Sequence, residues 1–187
     1  MTGIQPNVEI LPMGEGLVSN FSFAPMNTMQ WQTPSVGVKK LGDDAIIPTR
    51  AKEGDAGYDL YAAEAVTIMP GERKLVSTQV AFEIPPGYVG LIWPRSSMST
   101  KQGVDVLAGV IDSGYRGEVG ACLLNTNPCV TTSENSHSFN YDDAIRIEKG
   151  DRIAQILIQN IAGLELKEVE DLSDSERGDG GFGSTGK

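Results

Sequence analysis

Histidine is almost missing from this sequence. The single one, His137, sits in the polar stretch TTSENSHSFN. A catalytic histidine needs a positioned partner, and an unpatterned polar stretch supplies none, so His137 reads as loop surface. Cysteine is nearly as scarce. Cys122 lies in a strand-like run and Cys129 beside Pro128, with no CxxC spacing. Both read as ordinary thiols of a reducing compartment. A His-dependent triad, a zincin site and a Cys/His deaminase zinc site are thereby set aside. Basic residues are outnumbered 15 to 25, for a formal charge of −10. That surface repels nucleic acid and anionic lipid at long range, so neither nucleic acid nor membrane is expected as a partner. Any bound phosphate must be held by local donors against that field. Long apolar runs are missing too. None approaches the ~20 residues of a membrane helix. The start, MTGIQPNVEILPMGEG, has neither the basic opening nor the apolar core of a secretory leader. A cytoplasmic, or at least intracellular, location is expected.

What is present suits one domain with decorated ends: 187 residues, 40% of them hydrophobic, are enough for a real core. Residues 1–34 carry Pro6, Pro12, Pro25 and Pro34 with no sustained period, and read as an N-terminal extension. From Val36 to Gln159 the pattern is β. Expected strands are Val66–Met69, Leu75–Ile84, Val89–Trp93, Val104–Ile111, Glu118–Asn125, Ala144–Ile147 and Arg152–Gln159. Turn signals such as Pro70-Gly71 and Pro85-Pro86-Gly87 separate them. Short strands with frequent turns predict an all-β sandwich or barrel over 35–170. One short helix is expected at Ser96–Gln102. Residues 126–141 read as a long loop or an inserted hairpin. The Gly-rich stretch 171–187 has almost no apolar side chains and reads as a flexible tail.

Five segments carry possible chemistry. In the tail, glycines surround Phe182, with Arg177 before it and Ser184-Thr185 after it. Glycine amides can close on an anion, Arg177 can fork onto phosphate and Phe182 can stack on a base. A passive Gly/Ser tail is the other reading. By letter the tail also matches GxGxxG and most of a Walker A loop. Both of those need a helix N-terminus facing the phosphates, and they are set aside. Pro94-Arg95-Ser96-Ser97-Met98-Ser99 follows an apolar strand; it is either an anion-binding donor set or a helix cap with a surface arginine. In Gly109-Val110-Ile111-Asp112-Ser113-Gly114-Tyr115-Arg116-Gly117-Glu118, apolar residues run into a hairpin-type turn. Asp112 is either a general base toward water or ordinary turn chemistry. In Asp55-Ala56-Gly57-Tyr58-Asp59-Leu60, a strand would hide Asp59, which then needs a partner. In Gly150-Asp151-Arg152-Ile153-Ala154-Gln155, the Gln155 amide must be satisfied within an apolar strand.

Taken together and in order, AGYDL, PRSS, GVIDSGYRG, GDRIAQ and RGDGGFGSTG resemble the five motifs of the homotrimeric dUTPases, and the resemblance covers most of the chain. It implies a jelly-roll-like distorted β-barrel, a homotrimer with active sites at subunit interfaces, and hydrolysis of dUTP to dUMP and pyrophosphate. It implies Mg²⁺ held through the triphosphate and water, with no direct protein ligand. By this resemblance Asp112 activates the attacking water. Tyr115 packs under the deoxyribose and excludes a 2′-hydroxyl. The backbone of Gly109, Val110 and Ile111, with Gly120 on the return, reads uracil. Arg95, Ser96, Ser97 and Gln155 contact phosphates, and Asp59 supports them. Arg177, Phe182, Gly183, Ser184 and Thr185 close over base and γ-phosphate. Three departures stand out: Ser97 where the family often has Gly, the long stretch from Asn125 to Gly150, and the additional residues 1–34. Two alternatives remain open. One is a dCTP deaminase of the same fold, which needs a different proton-transfer carboxylate. The other is a nucleotide-sensing, protein-binding regulator that uses the 126–141 insert or the extension.

Overall fold

Alternating and apolar stretches cut short by Gly and Pro become thirteen short strands, one α-helix and one 3₁₀ turn (Tyr141–Asp143) among the described residues of a computed structural model. It describes residues 34–128, 131–133, 136–137 and 141–180. The chain divides after Thr33, and only the second unit, Pro34–Lys187, contains described residues. The extension therefore lies outside them, apart from Pro34. So do Cys129, Phe182, Gly183, Ser184 and Thr185.

The strands are β1 (Gly37–Lys40), β2 (Tyr58–Tyr61), β3 (Val66–Ile68), β4 (Arg73–Val76), β5 (Val80–Glu83), β6 (Tyr88–Trp93), β7 (Val104–Leu107), β8 (Val110–Ile111), β9 (Ala121–Asn125), β10 (Thr131–Ser133), β11 (Ser136–His137), β12 (Ile145–Ile147) and β13 (Arg152–Asn160); α1 spans Ser96–Gln102. Every pairing is antiparallel. A four-stranded sheet runs β2-β13-β6-β8 and a three-stranded sheet β4-β9-β7, with β1-β5, β3-β12 and β10-β11 as two-stranded pieces. This is the expected all-β, jelly-roll-like fold. Within 126–141, β10 pairs with β11, and His137 lies on the second of these two strands.

The core fills where these sheets face one another. Leu60, Ile68, Val76, Val80, Ile84, Val119, Leu123, Ile153 and Ile156 are all buried. Each such side chain contributes about 1.5–3 kcal/mol through removal from water. Two polar side chains, Thr78 and Asn125, are buried as deeply. Asn125 donates from Nδ2 to the carbonyls of Ile68 and Asp143, both at 3.0 Å, and its Oδ1 accepts from Asn127 N at 3.0 Å. A fully bonded amide can be buried without penalty and ties β9 to β3.

Two expected strands are each divided. Leu75–Ile84 breaks at Gln79 (φ +52°) and Val104–Ile111 breaks at Ala108 (φ +53°). Left-handed backbone at a residue with a Cβ costs energy and is uncommon. Here it lets the chain leave one sheet and join another: β4 and β7 lie in the three-stranded sheet, β5 pairs β1, and β8 pairs β6. The turn after Ile111 is present, with Tyr115 N donating to the Asp112 carbonyl at 3.0 Å. The hairpin is not. β9 pairs with β7 and β4, never with β8.

α1 forms where expected. Arg95 is its N-cap residue, in extended backbone and without a side-chain cap bond. The Arg95 carbonyl accepts from Met98 N and Ser99 N, both at 3.0 Å. Gly103 ends the helix at φ +70°, the left-handed cap that glycine adopts at no steric cost. Buried Met98 holds the helix against the core.

Candidate functional site

The register of β2, β13 and β6 places Asp59 opposite Gln155, and Gln155 opposite Trp93. Just beyond Trp93 the chain carries Arg95 back over this row. Arg95 Nε donates to Asp59 Oδ1 at 2.9 Å, and Arg152 Nη1 donates to Asp59 Oδ2 at 3.3 Å. Arg95 Nη1 also donates to the Arg152 carbonyl at 3.3 Å. The Asp59 side chain is only 11% exposed, so a carboxylate there requires this pairing. Gln155 Nε2 donates to the Pro94 carbonyl at 3.0 Å, which satisfies the amide and holds the start of PRSS against β13. Gly57 makes room for it: a Cβ at 57 would stand 2.4 Å from Gln155 Oε1.

Around these groups lies a cavity of about 270 Å³, lined by Ala51, Asp55, Ala56, Gly57, Asp59, Arg95, Ser96, Ser97 and Gln155. Three of the five sequence segments thus converge. Asp59 lies between two guanidiniums, and Asp55 adds a second carboxylate to the cavity wall, so the charges there balance while the protein as a whole is acidic. Arg152, missed as a site residue, lies within GDRIAQ; its role depends on a bond across 93 positions that spacing does not reveal.

A second group lies elsewhere in the same sheet. The Gly109 carbonyl accepts from Ile92 N at 2.7 Å, and a Cβ at 109 would stand 2.4 Å from the Ile92 oxygen. Only glycine allows that approach. Val110 and Ile111 then pair with Leu91 and Gly90, so β8 runs back down β6, away from Arg95. At about 3.3 Å per residue, Ile111 sits roughly 16 Å along the strand from the Arg95 end. Asp112 and Tyr115 follow it and are exposed. Within one chain they do not border the Arg95 cavity.

The turn that bears them is fastened to the preceding part of the fold. Arg116 Nη1 donates to the carbonyls of Ser113 and Tyr115 at 2.7 and 2.9 Å. Tyr115 Oη donates to the Glu118 carbonyl at 2.9 Å. Glu118 Oε1 accepts from Ser77 Oγ at 2.5 Å, Gln79 N at 2.9 Å and Thr78 N at 3.1 Å. The Ser77 hydroxyl chiefly, with the two amides, holds the Glu118 carboxyl below its ordinary range, against the opposing effect of partial burial. Thr78 Oγ1 donates to the Val119 carbonyl. Gly120 packs tightly too: a Cβ there would stand 2.8 Å from Leu75 Cδ1.

Residues 161–180 form neither helix nor strand and are exposed up to 179. Arg177 Nε donates to the Gly180 carbonyl at 2.7 Å, so the guanidinium is turned onto its own segment. Among the described residues no group of three or more His, Cys, Asp or Glu is placed to hold a metal ion, and no helix is long and apolar enough to cross a membrane. Both Asp59 oxygens are engaged, and Asp55 Oδ2 accepts from Lys52 N at 2.9 Å. Such paired carboxylates, beside the Ser96 and Ser97 hydroxyls, suit a hydrated cation that arrives on phosphate oxygens.

Known proteins match this arrangement. The dUTPase family model matches residues 43–186. The deoxyuridine 5'-triphosphate nucleotidohydrolase of Corynebacterium diphtheriae is 44% identical over 163 residues, covering 86% of this chain and 99% of that protein. The enzyme of the same name from Nautilia profundicola is 47% identical over 152 residues, covering 80% and 97%. Among solved structures, the dUTPase of Staphylococcus bacteriophage 80alpha with dUPNHPP superposes with a TM-score of 0.73 at 39% identity, covering 83% of this chain and all of that one. With the family model matched from β2 through the end of β13 and beyond, and relatives above 40% identity covered almost end to end, this chain belongs to the dUTPase family.

Proposed function

We propose that this protein hydrolyses dUTP to dUMP and pyrophosphate by attack of an Asp112-activated water on the α-phosphate. The observation that carries this reading is the cavity in which Arg95, Ser96, Ser97 and Gln155 converge, with Asp59 fixing Arg95. A triphosphate in a protein of charge −10 needs concentrated donors, and these are concentrated. Mg²⁺, bound together with the triphosphate, would supply charge neutralisation along the phosphates. Asp112 holds and orients the water as general base. The backbone of Gly109, Val110, Ile111 and Gly120 pairs with uracil, where cytosine's swapped donor and acceptor leave polar groups unpaired. Tyr115 lies under the deoxyribose.

The two groups of residues act in one site if the Arg95 cavity of one subunit meets the Asp112 turn of another, as in a homotrimer with interfacial sites. The exposure of Asp112 and Tyr115 supports that arrangement. The tail, 171–187, closes the site with Arg177, Phe182, Gly183, Ser184 and Thr185, and expels water. Pyrophosphate release measured with dUTP, dCTP, dTTP and UTP tests the reading. Turnover of dUTP well above the others is expected. Ammonia release from dCTP with no turnover of dUTP would replace it with the deaminase.

A further inference from the structure

We propose that Glu118 is a specificity-determining positioning residue, which fixes the Tyr115 ring so that the site separates deoxyribonucleotide from ribonucleotide. The inference rests on the reading that Tyr115 lies under the sugar. Tyr115 belongs to an exposed turn, where a phenol ring would ordinarily sample several rotamers. It does not do so freely here. Its hydroxyl donates to the carbonyl of Glu118, three residues on. To reach that carbonyl the ring folds over Gly117, where a Cβ would stand 2.4 Å from Tyr115 Oη and 2.6 Å from Cζ. The absent side chain at 117 is thus what lets the tether form.

A tether is only as rigid as its anchor. Glu118 is anchored through its own side chain: one carboxylate oxygen takes the Ser77 hydroxyl and the amides of Thr78 and Gln79. Those residues form the left-handed turn at which the chain passes from β4 to β5. A bridge between Glu118 and Ala81 and the bond from Val119 N to the Val80 carbonyl extend the seam into β5. Arg116 offers no equivalent. Its contact to Glu83 is 3.6 Å long between side chains 53% and 73% exposed, where water screens the pair. A ring held from below by the seam has one position, and a 2′-hydroxyl then meets a fixed wall. A ring released from it can yield and admit ribose.

The test is kcat/KM for dUTP and UTP with the full-length protein, in wild type and in Tyr115→Ala, Tyr115→Phe, Gly117→Ala, Glu118→Ala and Glu118→Gln. Tyr115→Phe removes only the hydroxyl and Glu118→Ala only the anchor. Both are expected to lower the dUTP-to-UTP ratio by about tenfold. Gly117→Ala is expected to follow them. Glu118→Gln keeps an acceptor oxygen and should hold the ratio near wild type. A merely structural Glu118 would lower both substrates together and leave the ratio unchanged in Glu118→Ala and Tyr115→Phe, which overturns the proposal. If Glu118→Ala fails to fold, Ser77→Ala, which removes the hydroxyl donor to the Glu118 carboxylate, takes its place, and an unchanged ratio there overturns the anchor. A ratio unchanged even in Tyr115→Ala removes Tyr115 from the sugar site, and the proposal falls with that separate reading.

Discussion

The Arg95 cavity and the Asp112 turn are built in opposite ways. The cavity draws on residues far apart in sequence, from Asp59 to Gln155, and one chain completes it: its buried carboxylate has both oxygens paired, and its glutamine is bonded. The turn draws on one contiguous stretch, lies at the other end of β6 and presents Asp112 and Tyr115 to solvent. Long-range convergence gives rigidity, because no single loop motion can dismantle it. The local turn gives exposure, which a residue needs if it is to serve a cavity other than its own. The contrast explains why the first group carries charged pairs and the second is held by main-chain carbonyls and a carboxylate behind it.

The largest effect should come from the turn. Asp112→Asn is expected to cut pyrophosphate release from dUTP by roughly 10²–10⁴-fold, the range for a lost general base, with no change in thermal midpoint. Mixing that variant with Arg95→Ala sharpens the comparison. If each site joins halves from two copies, refolded mixtures regain activity in up to about one site in four. No recovery would mean that one chain supplies both halves. Asp59→Ala should act on the cavity through stability as well as turnover. Arg95 is 22% exposed and Arg152 47%, so both freed guanidiniums reach water. The expected loss is therefore about 2 kcal/mol, below that of a fully buried pair. In a chain of this length that is a fall of about 4–8 °C in calorimetry. The smallest effect concerns pH. The Glu118 and Glu72 carboxyls are held low in the fold. Their stabilisation is complete above the ordinary carboxylate range and fades as pH falls through the lowered folded values. Wild type should therefore exceed Glu118→Gln in thermal midpoint at neutral pH, and the gap should close on acidification below the ordinary carboxylate value of 4.5.

Much of this was legible in the residues. Ser96–Gln102 is a helix as expected, the strand at Val66 ends at the Pro70-Gly71 turn, and Asp59 and Gln155 have the partners that burial demands. What spacing hides is pairing at a distance. Glu118 reads as the end of a turn, and its clamp on residues 77–79 crosses about forty positions. The breaks at Gln79 and Ala108 were hidden for another reason. A left-handed residue is signalled by Gly or Asn, and neither stands there. Local propensity favoured continuous strands, and tertiary pairing with two different sheets overrode it.

Ala108 has one more consequence. Side chains alternate along a strand, so a residue that lies outside the alternation sets the parity of everything after it. Lengthening or shortening the chain there by one position would rotate the Val110–Ile111 step by half a cycle and send the carboxylate at 112 toward the opposite side of the sheet. Between Leu107 and Asp112 the protein is counted residue by residue.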